Sequence, residues 1–505
     1  MRIAVIGSGV SGIAAAVVLQ REGHEVRVFE REPTLGGVWA KAYPEVRLQN
    51  VWTQYRLSEL DWPTRPDDNP TAPQILAYFE AAIAHYQVDV RFDAEVVGLD
   101  ELPAGWRVSV RGPEGLRAEE FDYVIVAVGQ YTQPKAAVTI ADRERFAGVI
   151  STERDIDDLS ALGGQRLVVV GYGKSAVDLA ALAAARGARV ELVLRKARWL
   201  IPEKLAGLMH FKYALFNRIN SVMIPAWAHP TAAARFLHAR LAFVVRGFWA
   251  ALSAIVRAQY RAAALGHGPE ARARIRVLLP EHSLVSDMRS AAALEPRGFY
   301  AAVARGEINP RLGTARRFTE DALVLDDGTE LACDQVILCL GSGSPVFPFM
   351  PLRYRELLES EPDGAQLYRH LIHPRIPRLA FAGYNHGFMH LPAVEVGMLW
   401  LSAVLRGELE LPSVEAMEAS IERVRAWKRE HVNFEPSRSC AINTRFHQYL
   451  DILLLELGIS PYRKRNLLAE IFDCYEAGDY AGLGEDYRRA RAAHPEPRKV
   501  LDLDT

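Results

Sequence analysis

Arg2-Ile3-Ala4-Val5-Ile6-Gly7-Ser8-Gly9-Val10-Ser11-Gly12 opens the chain and decides how the rest is read. Arg2 to Ile6 is a short β-branched run with the character of a buried strand. A glycine-punctuated turn follows, then an alanine-rich helical segment from Ile13 to Gln20, then Gly23 and a second strand, Val26-Arg27-Val28-Phe29, with Glu30 at its end. Each glycine has its own physical duty. Gly7 permits the tight turn, Gly9 has no side chain to block a pyrophosphate, and Gly12 lets helix and strand pack closely. The helix N-terminus faces the phosphates, and Glu30 stands where a carboxylate can accept hydrogen bonds from ribose hydroxyls. The glycines, the strand–turn–helix–strand context and the placed acid together predict a dinucleotide-binding unit, rather than a glycine-rich turn that binds nothing.

The theme returns once. Arg166 to Val170 reads as a strand, Gly171-Tyr172-Gly173-Lys174-Ser175-Ala176 as the turn, and an alanine-rich helix, Gly187 and the strand Val190–Leu194 follow. Aligned from the closing glycines, Leu194 stands where the first copy has Glu30, and Arg195, Lys196 and Arg198 follow it. A carboxylate there would repel a 2′-phosphate, whereas a guanidinium fork binds one. The first copy is therefore read as holding a nucleotide with a free ribose, such as FAD. The second is read as holding NADPH through Gly171, Gly173, Ser175 and Arg195. The plainer reading of Arg195 is a solvated charge at a strand end.

Other stretches gather around these two. Gly36-Gly37-Val38-Trp39 implies another close approach of backbone to ligand at Gly37, with Trp39 packing beside it. Three apolar strands end in glycine, at Gly129, Gly341 and Gly383, and the first two look like chain crossings between nucleotide domains. Pro73 to Tyr86 predicts a helix, Val88 to Val97 and Trp106 to Val110 strands of a small sheet, and Leu323 to Asp334 a hairpin turning at Asp326-Asp327-Gly328. A linker is expected from Tyr131 through Pro134 to about Ser160. Residues 203–274 are helical in pattern and rich in aromatics such as Phe216, Trp227 and Trp249, with arginines interrupting the apolar stretches. A basic amphipathic helix can lie on a membrane; a helical insertion packed on the nucleotide domains is the favoured reading. The tail from Ser413 onward reads as helical.

The expected fold class is α/β, with two Rossmann-like dinucleotide-binding domains. Residues 1–155 and 330–450 form an FAD-binding domain, interrupted by an NADPH-binding domain over 160–330 that carries the helical insertion 203–274. Residues 451–505 form a helical tail. The chain has 505 residues, enough for more than one core. Its 60 Lys plus Arg balance 62 Asp plus Glu, a net charge of -2 that gives no reason to propose a nucleic-acid partner. Cys333, Cys339, Cys440 and Cys474 match no zinc or C-x-x-C spacing. No secretory leader and no bilayer-length apolar run are visible, so a cytoplasmic protein is expected. His386, His390 and Glu395 invite a metal reading, but Gly387 and Pro392 argue against the helix that such ligands would need. A loop over a cofactor, with no metal, is the better account.

These motifs resemble the flavin-containing monooxygenases of the two-dinucleotide-domain (class B) type. The resemblance rests on the two glycine turns, Gly36-Gly37-Val38-Trp39, Arg47-Leu48-Gln49, Asp61-Trp62-Pro63, and Arg195 with Trp199 and Pro202. It continues through Cys339-Leu340-Gly341, Leu367-Tyr368-Arg369, Ile372-His373-Pro374-Arg375-Ile376-Pro377, Leu411-Pro412-Ser413 and Pro461-Tyr462-Arg463-Lys464. It implies FAD and NADPH as cofactors, O2 and a small molecule as substrates, and a flavin C4a-hydroperoxide as oxygenating species. By this resemblance nitrogen or sulfur is the oxygenated atom. Gln49 and Asn50 are the amides nearest the family's flavin-side asparagine; tying down their own loop is the alternative role. Thr152 stands after Phe146-Ala147-Gly148 where the family has a histidine, which keeps a peroxide-releasing NADPH oxidase in view. The Baeyer–Villiger fingerprint is incomplete, so ketone insertion ranks below heteroatom oxygenation. A disulfide reductase would need a cysteine pair that the first 330 residues lack. A non-catalytic flavoprotein sits poorly with two intact motifs.

Overall fold

The computed structural model describes residues 1–131, 135, 140–224, 228–288, 292–361, 363–385, 387–431 and 445–503. Pro134, Trp227, His386 and Cys440 fall outside them. Two five-stranded parallel sheets organise the chain, each built by the same logic. In the first the spatial order is Leu379–Phe381, Tyr123–Val126, Arg2–Ile6, Glu25–Phe29, Asp89–Arg91. In the second it is Ile308–Leu312, Arg189–Leu194, Arg166–Val170, Gln335–Leu338, Val149–Thr152. The central strands Arg2–Ile6, Tyr123–Val126, Arg166–Val170 and Gln335–Leu338 are near-continuous apolar runs because both of their faces are covered. In each sheet the opening strand lies between its βαβ partner and a strand from much later in the chain. That is the switch point at which open parallel sheets bind ligands.

Each sheet is fed by a three-stranded antiparallel meander. Glu95–Leu102, Gly105–Gly112 and Gly115–Phe121 precede Tyr123–Val126. Ala315–Phe318, Ala322–Leu325 and Glu330–Ala332 precede Gln335–Leu338. The expected hairpin at Asp326-Asp327-Gly328 closes as read, with the Gly328 N–H donating to Leu325 O at 3.1 Å.

The strand expected over Val88 to Val97 is two strands in two sheets. Asp93 turns left-handed at φ 50° and breaks the run. Asp89–Arg91 then joins the first parallel sheet, while Glu95 begins the meander. The expected linker before Ser160 also carries structure, since Val149–Thr152 is the edge strand of the second sheet. The third difference lies at His390. His390–Leu405 is a helix, not a loop. Pro392 sits in its first turn, where a missing N–H removes no intrahelical bond. That helix packs between Val10–Arg21 and Phe446–Leu457 in the largest hydrophobic core.

The segment 203–274 contains a short hairpin (Lys204–Leu205 with Met209–His210) and helices Lys212–Leu215, Arg218–Met223, Ala232–Arg240, Ala242–Ala262 and Gly268–Val277. Arg218 fastens it to the tail. Its guanidinium meets Asp451 at 2.6 and 3.0 Å, pairs with Glu470 and donates to Pro461 O at 2.7 Å. Among the described residues no single helix is long and apolar enough to cross a membrane.

Candidate active site

The two glycine turns have the same geometry. Gly7 (φ 105°) leaves no room for a side chain, because an added Cβ would lie 2.6 Å from Ala127 O; at Gly171 (φ 135°) it would lie 2.3 Å from Cys339 O. Each turn is thereby pressed against the end of the strand that crosses in from later in the chain. Gly12 answers to packing, since a Cβ there would meet Gly7 O at 1.9 Å. Gly9 and Gly173 are different: a Cβ at either would point into open space. Both are N-caps of their helices, Val10–Arg21 and Lys174–Ala184, and neither cap supplies a side-chain hydrogen bond. The first-turn N–H groups thus face open space without side-chain acceptors, an arrangement suited to a pyrophosphate. Both cradles fit an adenine dinucleotide.

The ends of the second strands set the two apart. Glu30 is buried, and three donors orient its carboxylate. Ser8 N–H and Oγ–H donate to Oε2 at 2.7 and 3.0 Å, and Glu32 N–H donates to Oε1 at 3.0 Å. Arg195 is exposed and has no hydrogen-bond or ion-pair partner among the described residues.

Between the cradles runs the loop that follows Gly36-Gly37. Gly37 abuts Gly9, an added Cβ lying 3.4 Å from the Gly9 Cα. Trp39 Nε1–H donates to Tyr55 Oη at 3.0 Å. Further along, the loop laces the first cradle's domain to the second's. Tyr43 Oη–H donates to Asp178 Oδ2 (2.8 Å) on the helix of the second cradle. Gln49 Oε1 accepts from Leu294 N–H at 2.9 Å. Asn50 Nδ2–H donates to Phe388 O, while its own carbonyl accepts from Asn69 Nδ2 at 3.0 Å. Gln49 and Asn50 therefore both tie the loop down, Gln49 toward the second cradle and Asn50 toward the segment after Gly383. Gln49 Nε2 and Asn50 Oδ1 take no part in these bonds.

Gly383 closes against the first helix, with an added Cβ only 2.4 Å from Ser11 Oγ. Ser11 Oγ lies 2.8 Å from His390 Nε2, and burial pulls that imidazole down to about 4. Glu395 accepts from Ser58 N–H (3.1 Å) and Ser58 Oγ–H (3.0 Å); burial pushes it up to about 7. His390 and Glu395 thus serve different partners. Among the described residues no cluster of histidine, cysteine, aspartate and glutamate could hold a metal.

Three residues that the sequence reading did not single out stand at the strand crossings and beside the second cradle. Gln130, next to Gly129, is buried and donates from Nε2 to Gly383 O at 2.6 Å; its Oε1 is a buried acceptor with no partner among the described residues. Arg154 donates to Tyr131 O and approaches Ser342 Oγ at 3.5 Å, and Ser342 Oγ–H donates to Tyr131 O at 3.2 Å. It clamps the two crossing segments, just past Gly129 and Gly341, side by side. Glu295 follows Leu294 and faces Tyr172, Tyr260 and Tyr300 beside the second cradle; burial lifts it to about 7. Only the polar residue after a strand-ending glycine, at Gln130, was a readable signal. Thr152, in the place of the family's histidine, turns its N–H and Oγ–H onto Asp155 Oδ2 at 2.7 and 2.8 Å.

Comparison with known proteins agrees with this architecture. A family described as pyridine nucleotide-disulphide oxidoreductase matches residues 3–224, and flavin-binding monooxygenase-like matches 301–471. A probable flavin-containing monooxygenase 1 of Arabidopsis thaliana is 29% identical, over 97% of this chain and 98% of its own length. Among solved structures, S-allyl-L-cysteine S-oxygenase of Allium sativum superposes with TM-score 0.63 at 20% identity, covering 98% of this chain and 94% of that one. The open form of cyclohexanone monooxygenase does so with TM-score 0.68 at 17% identity, covering 90% and 97%. At those identities the superpositions speak for the fold.

Proposed function

Because this chain belongs to the flavin-binding monooxygenase-like family and is a flavin-dependent monooxygenase with FAD and NADPH as cofactors, we propose that it oxygenates a nitrogen or sulfur atom of a small molecule. The observation that carries the cofactor arrangement is the contrast in charge between two cradles built on the same strand–turn–helix plan. One ends in the buried, triply held Glu30 and the other in the unpartnered, exposed Arg195. A carboxylate suits ribose hydroxyls and an arginine suits a 2′-phosphate, so FAD takes the first and NADPH the second.

When bound, NADPH supplies the reducing equivalents and the flavin the oxygen activation. The residues of this chain bind, orient and keep water out. Glu30 holds a ribose and Arg195 the phosphate. The loop from Tyr43 to Asn50, laced to both domains, fixes the distance between the two sites. Gln49 Nε2 is a neutral amide donor, which can donate a hydrogen bond without giving up a proton, and Asn50 Oδ1 is a neutral acceptor beside it in sequence. Beyond Asn50 stands a group of rings: Phe216 and Phe446 are buried with centroids 6.2 Å apart, and the half-buried Phe388 meets Phe216 edge-on at 5.2 Å. Nitrogen and sulfur lone pairs need no further activation by the protein, whereas a ketone needs a matching oxygen nucleophile.

The test is turnover of the holoenzyme with NADPH and a panel of amines, amino acids, thioethers, indoles and ketones, scored by the mass gain of one oxygen atom and by peroxide released. N-oxides or sulfoxides with little peroxide support the reading. Esters from ketones would move it to Baeyer–Villiger chemistry. Peroxide alone would make the protein an NADPH oxidase, the second reading, for which Thr152 in place of a histidine is the observation.

A further inference from the structure

The long helix Ala242–Ala262 has two faces. Val245, Trp249, Ser253, Val256 and Tyr260 are buried against the protein, and Trp249 Nε1–H donates to Met223 O at 2.8 Å. This is the packed insertion that the sequence favours. The opposite face is in water and carries no acidic side chain. Phe243 is 64% exposed there, Val244 and Ile255 are exposed, and glycine and alanines fill the space between. The preceding helix Ala232–Arg240 meets it at 80° and adds Phe236, 60% exposed; Leu265, just beyond the long helix, is 76% exposed. Single exposed apolar side chains are ordinary, but a continuous apolar face is a contact surface.

Charge says what the contact is. Residues 204–269 contain no aspartate or glutamate. Arg235, Arg240, Arg246 and Arg261 are exposed on this pair of helices, and none has an ion-pair partner among the described residues. A second copy of the chain meeting this face across a two-fold axis would bring the same arginines together. A lipid surface rich in anionic headgroups accepts the arginines and the apolar face at once, as interfacial helices do. We propose that Ala232–Arg240 and Ala242–Ala262 dock the enzyme on an anionic membrane surface without crossing it. The arginines lie at the headgroups, and Phe236, Phe243 and Ile255 enter the acyl boundary. This inference stands apart from the choice of substrate.

The experiment is flotation of the FAD-loaded full chain with vesicles of phosphatidylcholine alone, and with vesicles carrying about 30% phosphatidylglycerol. The protein is expected to float with the anionic vesicles, less with the neutral ones, and less at high salt. Arg240→Gln/Arg246→Gln should lower partitioning about 25-fold, since each basic residue near an anionic surface contributes about fivefold. Phe236→Ser/Phe243→Ser should abolish what salt leaves behind. Flavin content and NADPH turnover without vesicles stay at the parent level in both variants, which separates docking from folding. Parent protein that never floats, or variants that float like the parent, would overturn the proposal. So would a dimer by light scattering that Phe243→Ser splits, with no lipid binding.

Discussion

Gly9 and Gly12 stand three positions apart in one turn, yet their substitutions should fail in opposite ways. At Gly12 a Cβ would lie 1.9 Å from Gly7 O, against an ordinary contact near 3.4 Å. The helix would have to move off the strand by more than an ångström. Overpacking of that kind costs about 1–3 kcal/mol or more, offset by about 1 kcal/mol for alanine over glycine inside a helix. Gly12→Ala should therefore lower the melting temperature of the flavin-free protein. At Gly9 the backbone is extended (φ -62°, ψ 171°) and an added Cβ meets nothing within 4 Å. Gly9→Leu should melt with the parent when flavin-free. Its side chain would instead fill the space before the helix N-terminus and displace a pyrophosphate. Losing two charge-assisted hydrogen bonds, each worth about 1.5–3 kcal/mol, raises the FAD dissociation constant by about two to four orders of magnitude. The assay pairs thermal melts of the flavin-free proteins with flavin absorbance per chain. A yellow, fully loaded Gly9→Leu protein, or a Gly12→Ala protein as stable as the parent, would refute the reasoning.

Arg195→Ala should raise KM for NADPH about 10- to 150-fold, from about 1.5–3 kcal/mol for hydrogen bonds to a charged group, while KM for NADH barely moves; an unchanged cofactor preference removes Arg195 from the site. Glu395 is ordinary at 4.5 in the unfolded chain and about 7 when folded. The unfolded state therefore loses its proton first, and stability falls as pH rises from about 4.5 to 7. Glu395→Gln should remove that loss, leaving the variant more stable than the parent above pH 7 by up to about 3 kcal/mol, and near parity at pH 4.5; parallel urea-denaturation curves at both pH values would contradict it. Arg218→Met strands Asp451 and Glu470, and should cost about 3–5 kcal/mol, with faster proteolysis of the tail from Phe446 onward as the readout.

The cradles were legible because everything that makes them lies within one strand–turn–helix–strand run. Gly12 is set by its own turn, where a Cβ would meet Gly7 O, and Gly9 and Gly173 by the helix starts they cap; only the close approach of Ala127 O to Gly7 and of Cys339 O to Gly171 comes from distant strands. The strand over Val88 to Val97 was misread because nothing local shows that Asp93 turns left-handed while Asp93 and Ala94 give their N–H groups to Glu32 O and Glu30 O. The helix at His390 was missed because Pro392 reads as a breaker until its place in the first turn is known.

What the sequence determined by itself is the pair of glycine turns between strand and helix and the difference in charge where the next strands end, since a period of glycines and one terminal side chain suffice for both. Only the tertiary structure decided which atoms stand between them. Gln49 finds Leu294 across 245 residues, Arg154 finds Tyr131 and Ser342, and Tyr43 finds Asp178. It also decided which side of Ala242–Ala262 faces water. Partners so far apart are chosen by the topology that brings two sheets together, and no local pattern encodes that choice.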